Sequence, residues 1–271
     1  MKLLLHLCFV CMLMPSFAQQ KKLFVAAGQS NAVGMGDSAL SKNYSGSATF
    51  EYRFTGDSLI ALADPVGSYE LQFHKANKGS AWPSFAATYS NTTGKQVIIV
   101  QAARGGSSCS NKAELSNYGC WDTVAHLPLF DSAIIKIKAA QKKTGIPVSG
   151  IIWSQGERDA NAINAGQLTQ EEYQATMETL IERFRKALGV TVSFYIIQTG
   201  YYLHHPEAGF NQVRAAQENI ARRVKGVYIV YNQTGSFEGK GWMKDEIHYN
   251  QAALNDIGQT IARKIILIEK K

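Results

Sequence analysis

Beyond residue 18, this 271-residue chain has no apolar run long enough to span a bilayer, so the mature protein is expected to be soluble. Cysteine is scarce: of four, Cys8 and Cys11 fall in the leader, and only Cys109 and Cys120 remain. No Cys or His spacing near that pair completes a tetrahedral zinc site. Two cysteines closing a short loop in an exported chain are therefore expected to form a disulfide. The segment Gly28 to Gly36 lacks the Gly-Lys-Ser/Thr ending of a phosphate loop. His204, His205 and Glu207 match no zinc-protease spacing and read as cleft wall rather than as metal ligands. Internal repeats and low-complexity linkers are also missing, which argues for one domain.

Concentrated positive charge is lacking too. Lys and Arg number 28 against 21 Asp and Glu, a net charge of +7, but the basic residues are scattered. Lys136, Lys138, Lys142 and Lys143 lie on one segment, Arg183, Arg185 and Lys186 on another, and Arg222 and Arg223 on a third. These read as solvated helix faces, which excludes a nucleic-acid partner.

What is present begins with a leader. Lys2, the apolar stretch Leu3 to Leu13 and the small residues of Ser16-Phe17-Ala18 have the layout of a secretory signal cut after Ala18. No Cys follows that point to carry a lipid, so no membrane partner is expected after cleavage. The expected organisation is a signal segment over 1–18 and a single domain over 19–271, in the periplasm or outside the cell.

Five short apolar runs punctuate the remainder: Leu23 to Ala27, Val97 to Val100, Gly150 to Trp153, Val192 to Ile197 and Val227 to Tyr231. They are β-branched and mostly do not alternate, as strands buried on both faces should be. Helical patterns separate them. Thr169 and Glu172 form a capping box ahead of Tyr173, Met177, Leu180, Ile181, Phe184 and Leu188, with Gly189 as the stop. Similar stripes run through 82–89, 129–143, 210–224 and, after Asn250, through Leu254 to Ile268. Strand alternating with helix predicts an α/β fold, a three-layer α/β/α sandwich around a mostly parallel sheet of about five strands. Residues 38–79 are less regular and read as insertions shaping a cleft, with Ala48 to Phe54 a possible extra strand.

Open parallel sheets bind ligands beyond the carboxyl ends of their strands. Gly28-Gln29-Ser30-Asn31 follows the first run, and Arg104-Gly105-Gly106-Ser107 the second. Ser154-Gln155-Gly156-Glu157 follows the third, and Asp245-Glu246-Ile247-His248 precedes the last helix. Each has a use in acyl transfer. Ser30 is a nucleophile that needs a base, His248 can be that base, and Asp245 can reach back to fix its tautomer. The Ser30 N–H, an N–H of Gly105 or Gly106 and the Gln155 amide can converge on a developing oxyanion. Glu157 suits a buttress for loops near the site. Glu157 and Asp159 are too close on one turn to face each other across a sugar as a glycosidase pair. Arg104, beside the expected oxyanion turn, could hold a substrate carboxylate or serve in an ion pair.

Together these blocks resemble the SGNH (GDSL-like) hydrolases. More closely they resemble the branch of sialic-acid-specific acetylesterases and acetylxylan esterases, the SASA carbohydrate esterase family. The resemblance runs from Leu23 to about Ile268 and rests mainly on Gly28-Gln29-Ser30-Asn31 and on Trp153-Ser154-Gln155-Gly156-Glu157. It implies a flavodoxin-like SGNH sandwich in which Ser30, His248 and Asp245 are catalytic. It also implies that Ser30, Gly105 or Gly106, and Gln155 form the oxyanion hole, with Gly105 the slightly better fit. Asn31, Arg104 and Glu157 are the candidate substrate contacts. The implied reaction removes acetyl groups from a carbohydrate, sialate or xylan-like, through an acetyl-enzyme, with no metal or organic cofactor. Trp82, Trp121, Tyr201, Tyr202, Trp242 and Tyr249 suit stacking on sugar rings. A lipase or thioesterase of the same superfamily, and a glycan-binding module with a decayed site, are the alternatives.

Overall fold

The computed structural model describes residues 20–42, 48–189 and 191–270, and the expected signal segment 1–18 lies outside them. Its centre is strand β1 (Lys21–Gly28), whose side chains divide between two cores. Leu23, Val25 and Ala27 enter one, and Phe24 and Ala26 enter the other. A strand that buries both faces has no polar face to show, which is why its sequence does not alternate.

Strands β2 (Thr49–Arg53), β3 (Ser58–Ala61), β4 (Gln96–Ala103), β5 (Val148–Ser154), β6 (Phe194–Ile197) and β7 (Val227–Tyr231) complete a seven-stranded sheet. The order is β3-β2-β4-β1-β5-β6-β7, parallel throughout except for the β2–β3 hairpin. The five expected strands are all there. The two additional ones come from the irregular 38–79 region: residues 49–61 extend the sheet at one edge, and His74 lines the cavity described below.

Helix α1 (Ser30–Val33) is a single turn after β1. Helices α2 (Trp82–Thr93) and α7 (Gln251–Glu269) pack on one face of the sheet. Helices α3 (Phe130–Thr144), α4 (Glu157–Asn164), α5 (Gln170–Leu188) and α6 (Ala208–Arg223) pack on the other. The result is three layers. The Thr169–Glu172 capping box forms and Gly189 ends α5 in the left-handed conformation. Among the described residues no helix is long and apolar enough to cross a membrane.

Lys136 and the two cysteines differ from the sequence expectation. Lys136 is not on a solvated face. It lies in the same α3 stripe as Ala133, Ile137 and Ala140 and is fully buried, with its Nζ 2.7 Å from Glu70 Oε1 and 2.7 Å from the Gln101 carbonyl. Burial works to raise the Glu70 carboxyl, but the Lys136 charge, with N–H donors from Phe54 and Thr55, holds it down to about 2. Lys136→Met leaves a buried carboxylate without its cation and should lower stability by about 3–5 kcal/mol at neutral pH, read from urea midpoints. Because the folded-state value of Glu70 is depressed, its contribution is complete above the ordinary carboxylate range and is lost as pH falls toward 2. The gap between wild type and variant should therefore be wider near neutrality than in acid.

The expected disulfide does not form: Cys109 and Cys120 are both buried free thiols. Ser108 pairs directly with Cys120 in a short parallel bridge, and neighbouring residues on an extended chain point to opposite faces. Cys109 is thus turned away from Cys120, whose Sγ instead sits 3.5 Å from the Cys109 carbonyl oxygen.

Candidate active site

Three strand ends share one level. Gly28 at the end of β1 pairs with Ala103 of β4 on one side and with Ser154 of β5 on the other. The segments that leave these strands therefore emerge side by side. Gly28 has φ +134°, and a Cβ there would lie 2.0 Å from the Ser154 carbonyl oxygen, so only glycine fits. The chain then turns at once. The Gln29 N–H donates to the Ser154 carbonyl at 3.0 Å, and Ser30 opens α1 with its side chain at the rim.

His248 reaches the same point from 218 residues away, with its Nε2 3.0 Å from Ser30 Oγ. Its Nδ1 lies 2.9 Å from Asp245 Oδ2. Asp245 Oδ1 accepts the N–H groups of Ile247 (3.0 Å) and His248 (2.8 Å), so one carboxylate both shapes the loop and orients the ring. Partial burial works against this carboxylate, but the bonds from Ile247 and His248 outweigh it and hold the carboxyl below its ordinary range.

Asn31 ties the constellation together from behind. Its Nδ2 donates to Glu157 Oε1 (2.8 Å) and to the Ile247 carbonyl (3.2 Å), and its Oδ1 accepts the Tyr249 N–H (3.3 Å). One buried amide thus joins the serine turn, α4 and the histidine loop. Burial pushes the Glu157 carboxyl up, against the pull of the Asn31 bond. Gln29 adds a second tie: its Oε1 accepts the N–H groups of Gly156 and Arg158, each at 3.3 Å.

Ser30 and His248 open on a cavity of about 430 Å³, lined also by Gln29, Met35, His74, Gly105, Gly106, Leu115, Tyr118, Arg158, Asn161 and Ile247. Both glycines of the second block are therefore at the cavity. Gln155 is not. It is 1 % exposed, and its Nε2 donates to Asp159 Oδ2 and, at 3.4 Å, to the Ser107 carbonyl. Asp159, buried, also accepts the N–H groups of Cys109 and Ser110, and burial pushes it up to about 6 despite those bonds. A side-chain amide held this way braces the loop after Gly106 instead of facing an oxyanion.

The expected substrate contacts are redistributed. Asn31 and Glu157 lie behind the serine and do not line the cavity. Arg104 is spent on three carbonyls, those of Tyr118 (3.0 Å), Gln72 (2.6 Å) and Asn117 (2.7 Å). None of the six aromatics expected to stack on sugars lines the cavity. Trp82, Trp121 and Tyr249 are in the cores, where Trp121 packs edge-on to Trp153 and Tyr249 OH accepts the Gly200 N–H. The loop around His204, His205 and Glu207 likewise lines a separate small cavity. Among the described residues no group of His, Cys, Asp and Glu is placed to hold a metal ion. Sequence reasoning missed Tyr118, His74 and Arg158 at the cavity, and with them Leu115 and Asn161. Arg158 had a signal: it follows Glu157 in a block already singled out. His74 and Tyr118 had none, since both come from irregular segments.

Comparisons with known proteins agree with this architecture. The structure resembles a protein of Arabidopsis thaliana (TM-score 0.70, 17 % identity, 92 % of this chain and 98 % of that one). It also resembles NanS (TM-score 0.66, 16 % identity, 93 % and 98 %). A carbohydrate acetylesterase from Xanthomonas citri matches with TM-score 0.55 at 17 % identity, over 90 % of this chain and 56 % of its own. At such identities the likeness is one of fold. No curated protein matches by sequence. The model of the SASA family, described as carbohydrate esterase, sialic acid-specific acetylesterase, matches residues 20–267. A match of that extent shows membership: the chain belongs to the SASA carbohydrate esterases and is a carboxylic ester hydrolase.

Proposed function

We propose that this protein is an exported O-acetylesterase of carbohydrates, working through Ser30, His248 and Asp245. The observation that carries the reading is the unbroken chain of contacts from Ser30 Oγ through the imidazole to the carboxylate, at 3.0 and 2.9 Å. In the proposed reaction Ser30 Oγ attacks the acetyl carbonyl and His248 Nε2 takes its proton. The oxyanion is held by main-chain N–H groups, and the sugar alcohol leaves with the proton from His248. Water, activated by the same imidazole, then releases acetate from the acetyl-serine.

The cavity also bears on the choice of sugar. Among the described residues that line it, Arg158 is the one permanent cation. Its Nε donates to the Ala113 carbonyl at 3.0 Å, and among the described residues its terminal nitrogens have no protein partner. A planar guanidinium fixed at one end and open at the other suits a carboxylate, which favours sialate or another acidic sugar over neutral xylan.

The test is acetate release from O-acetylated sialic acid, acetylated pectin and acetylated xylan. Acidic substrates should be preferred, and Arg158→Gln should raise their KM about tenfold to hundredfold while sparing p-nitrophenyl acetate. Equal loss on neutral and acidic esters would remove Arg158 from substrate recognition. Preference for acyl groups longer than butyrate would instead favour the lipase reading, for which Met35, Leu115 and Ile247 would be the acyl wall.

A further inference from the structure

The oxyanion site is short of donors. Of the groups that could supply it, the Gln155 amide is engaged by Asp159 and the Ser107 carbonyl. The Gly105 N–H is engaged too: it donates to His74 Nδ1 at 3.2 Å. That leaves Gly106, which lines the cavity and whose N–H has no acceptor among the described residues. The Ser30 N–H is free in the same sense.

His74 is well placed to arrange this. Its own N–H donates to the carbonyl of Ala103, the last residue of β4, at 3.0 Å. Its carbonyl accepts from Gln101 Nε2 at 2.8 Å. The residue is thereby clamped to the strand end from which the Gly105-Gly106 turn departs, and Arg104 ties the adjacent Gln72 to the loop at Asn117 and Tyr118. At Gly105 an added Cβ would fall 3.4 Å from His74 Nδ1 and 3.8 Å from Ser30 Cβ, so the turn is wedged between imidazole and nucleophile. At Gly106 φ is +76°, and an added Cβ would meet the Tyr118 ring at 2.2 Å.

The tautomer follows from the contact. A backbone N–H can only donate, so Nδ1 must present its lone pair and the ring proton must sit on Nε2. Burial and the nearby Arg104 charge both hold His74 below the ordinary imidazole range, in keeping with a neutral ring.

We infer that His74 is a positioning residue of the oxyanion site: by accepting the Gly105 N–H it fixes the turn so that the Gly106 N–H, with that of Ser30, faces the acyl oxygen. This rests on the esterase reading of Ser30. It identifies the donor that the sequence left open between the two glycines as Gly106, and it replaces the contribution expected of Gln155.

Three variants separate the roles of the ring. His74→Asn keeps an acceptor where Nδ1 stands. His74→Gln keeps a donor near Nε2 without that acceptor, and His74→Ala keeps neither. With p-nitrophenyl acetate, His74→Ala and His74→Gln should lose about tenfold to hundredfold in kcat with KM nearly unchanged, since the turn acts on the transition state. His74→Asn should recover most of that loss. A kcat that is unchanged or higher in His74→Ala would overturn the proposal, because it would make Gly105 the donor and the ring its cover. So would His74→Asn proving no better than His74→Ala. Should the alanine variant fail to fold, ring 15N shifts of the wild type decide: a pyridine-like Nδ1 and a protonated Nε2 are expected, and the opposite tautomer contradicts the contact. Wild type and Ser30→Ala run in parallel keep the outcomes apart. If Ser30→Ala stays active the esterase reading fails, whereas if only the His74 series misbehaves this inference fails alone.

Discussion

Ser30→Ala should lower kcat by about 10⁵–10⁶ while leaving the folded protein intact. The size follows from what the hydroxyl does. No other nucleophilic side chain lies at hydrogen-bond distance from His248 Nε2 among the described residues, so nothing takes over the acyl group when Oγ is removed. What remains is transition-state stabilisation by the N–H groups around the cavity, worth about 10³–10⁴ over water in an enzyme of this type. Stability should change little. Ser30 makes its structural contribution through its carbonyl, which accepts the Gly34 N–H at 2.9 Å, and that bond survives the substitution. Circular dichroism and acetate release on the same preparation check both halves of the expectation.

Asp245→Asn should cost about 10²–10⁴ in kcat, by a different route. An asparagine can keep one oxygen on the N–H groups of Ile247 and His248, so the loop holds its shape. Its amide nitrogen then faces His248 Nδ1 and donates to it. The ring proton is forced onto Nε2, the atom 3.0 Å from Ser30 Oγ, and the base arrives already protonated. The lower end of the range reflects solvent access: the Asp245 side chain is 46 % exposed, so water can substitute for part of its orienting role. Asp245→Ala should be worse for stability than Asp245→Asn, because it also frees two N–H groups of the loop. Rates and thermal midpoints of the two variants, measured together, separate the tautomer effect from the loop effect.

These expectations draw on features of very different visibility in the chain. The parallel strands could be read because β1, β4 and β5 are each covered on both faces, which writes an uninterrupted apolar run. Three of the four polar blocks could be read because a strand end fixes the place of the residue after it, whereas Asp245 to His248 sits in the loop before α7 and showed itself only by its Asp-x-x-His spacing. Gly28, Ala103 and Ser154 are neighbours in register, so Ser30, Gly105 and the 155–158 segment must be neighbours too. Pairings settled across space could not be read. Lys136 looks like its neighbours Lys138, Lys142 and Lys143 until the helix stripe is matched with Glu70, which comes from the 38–79 region. Arg104 and Arg158 are alike on paper, but carbonyls of two loops consume the first guanidinium and leave the second open at the cavity. Gln155 has the right address and the wrong neighbour, since Asp159, one helical turn further on, captures its amide. His74 sits in a segment with no periodicity at all, and only the folded chain sets its ring against Gly105.

In the proposed reaction the Ser30 hydroxyl is the atom that receives the acyl group. Fluorophosphonate labelling of the native protein, with the adduct located by peptide mass spectrometry, reads that atom directly. The predicted result is one adduct, on Ser30, formed slowly or not at all in His248→Ala. An adduct on another residue, or none on a folded preparation that still releases acetate, would contradict it.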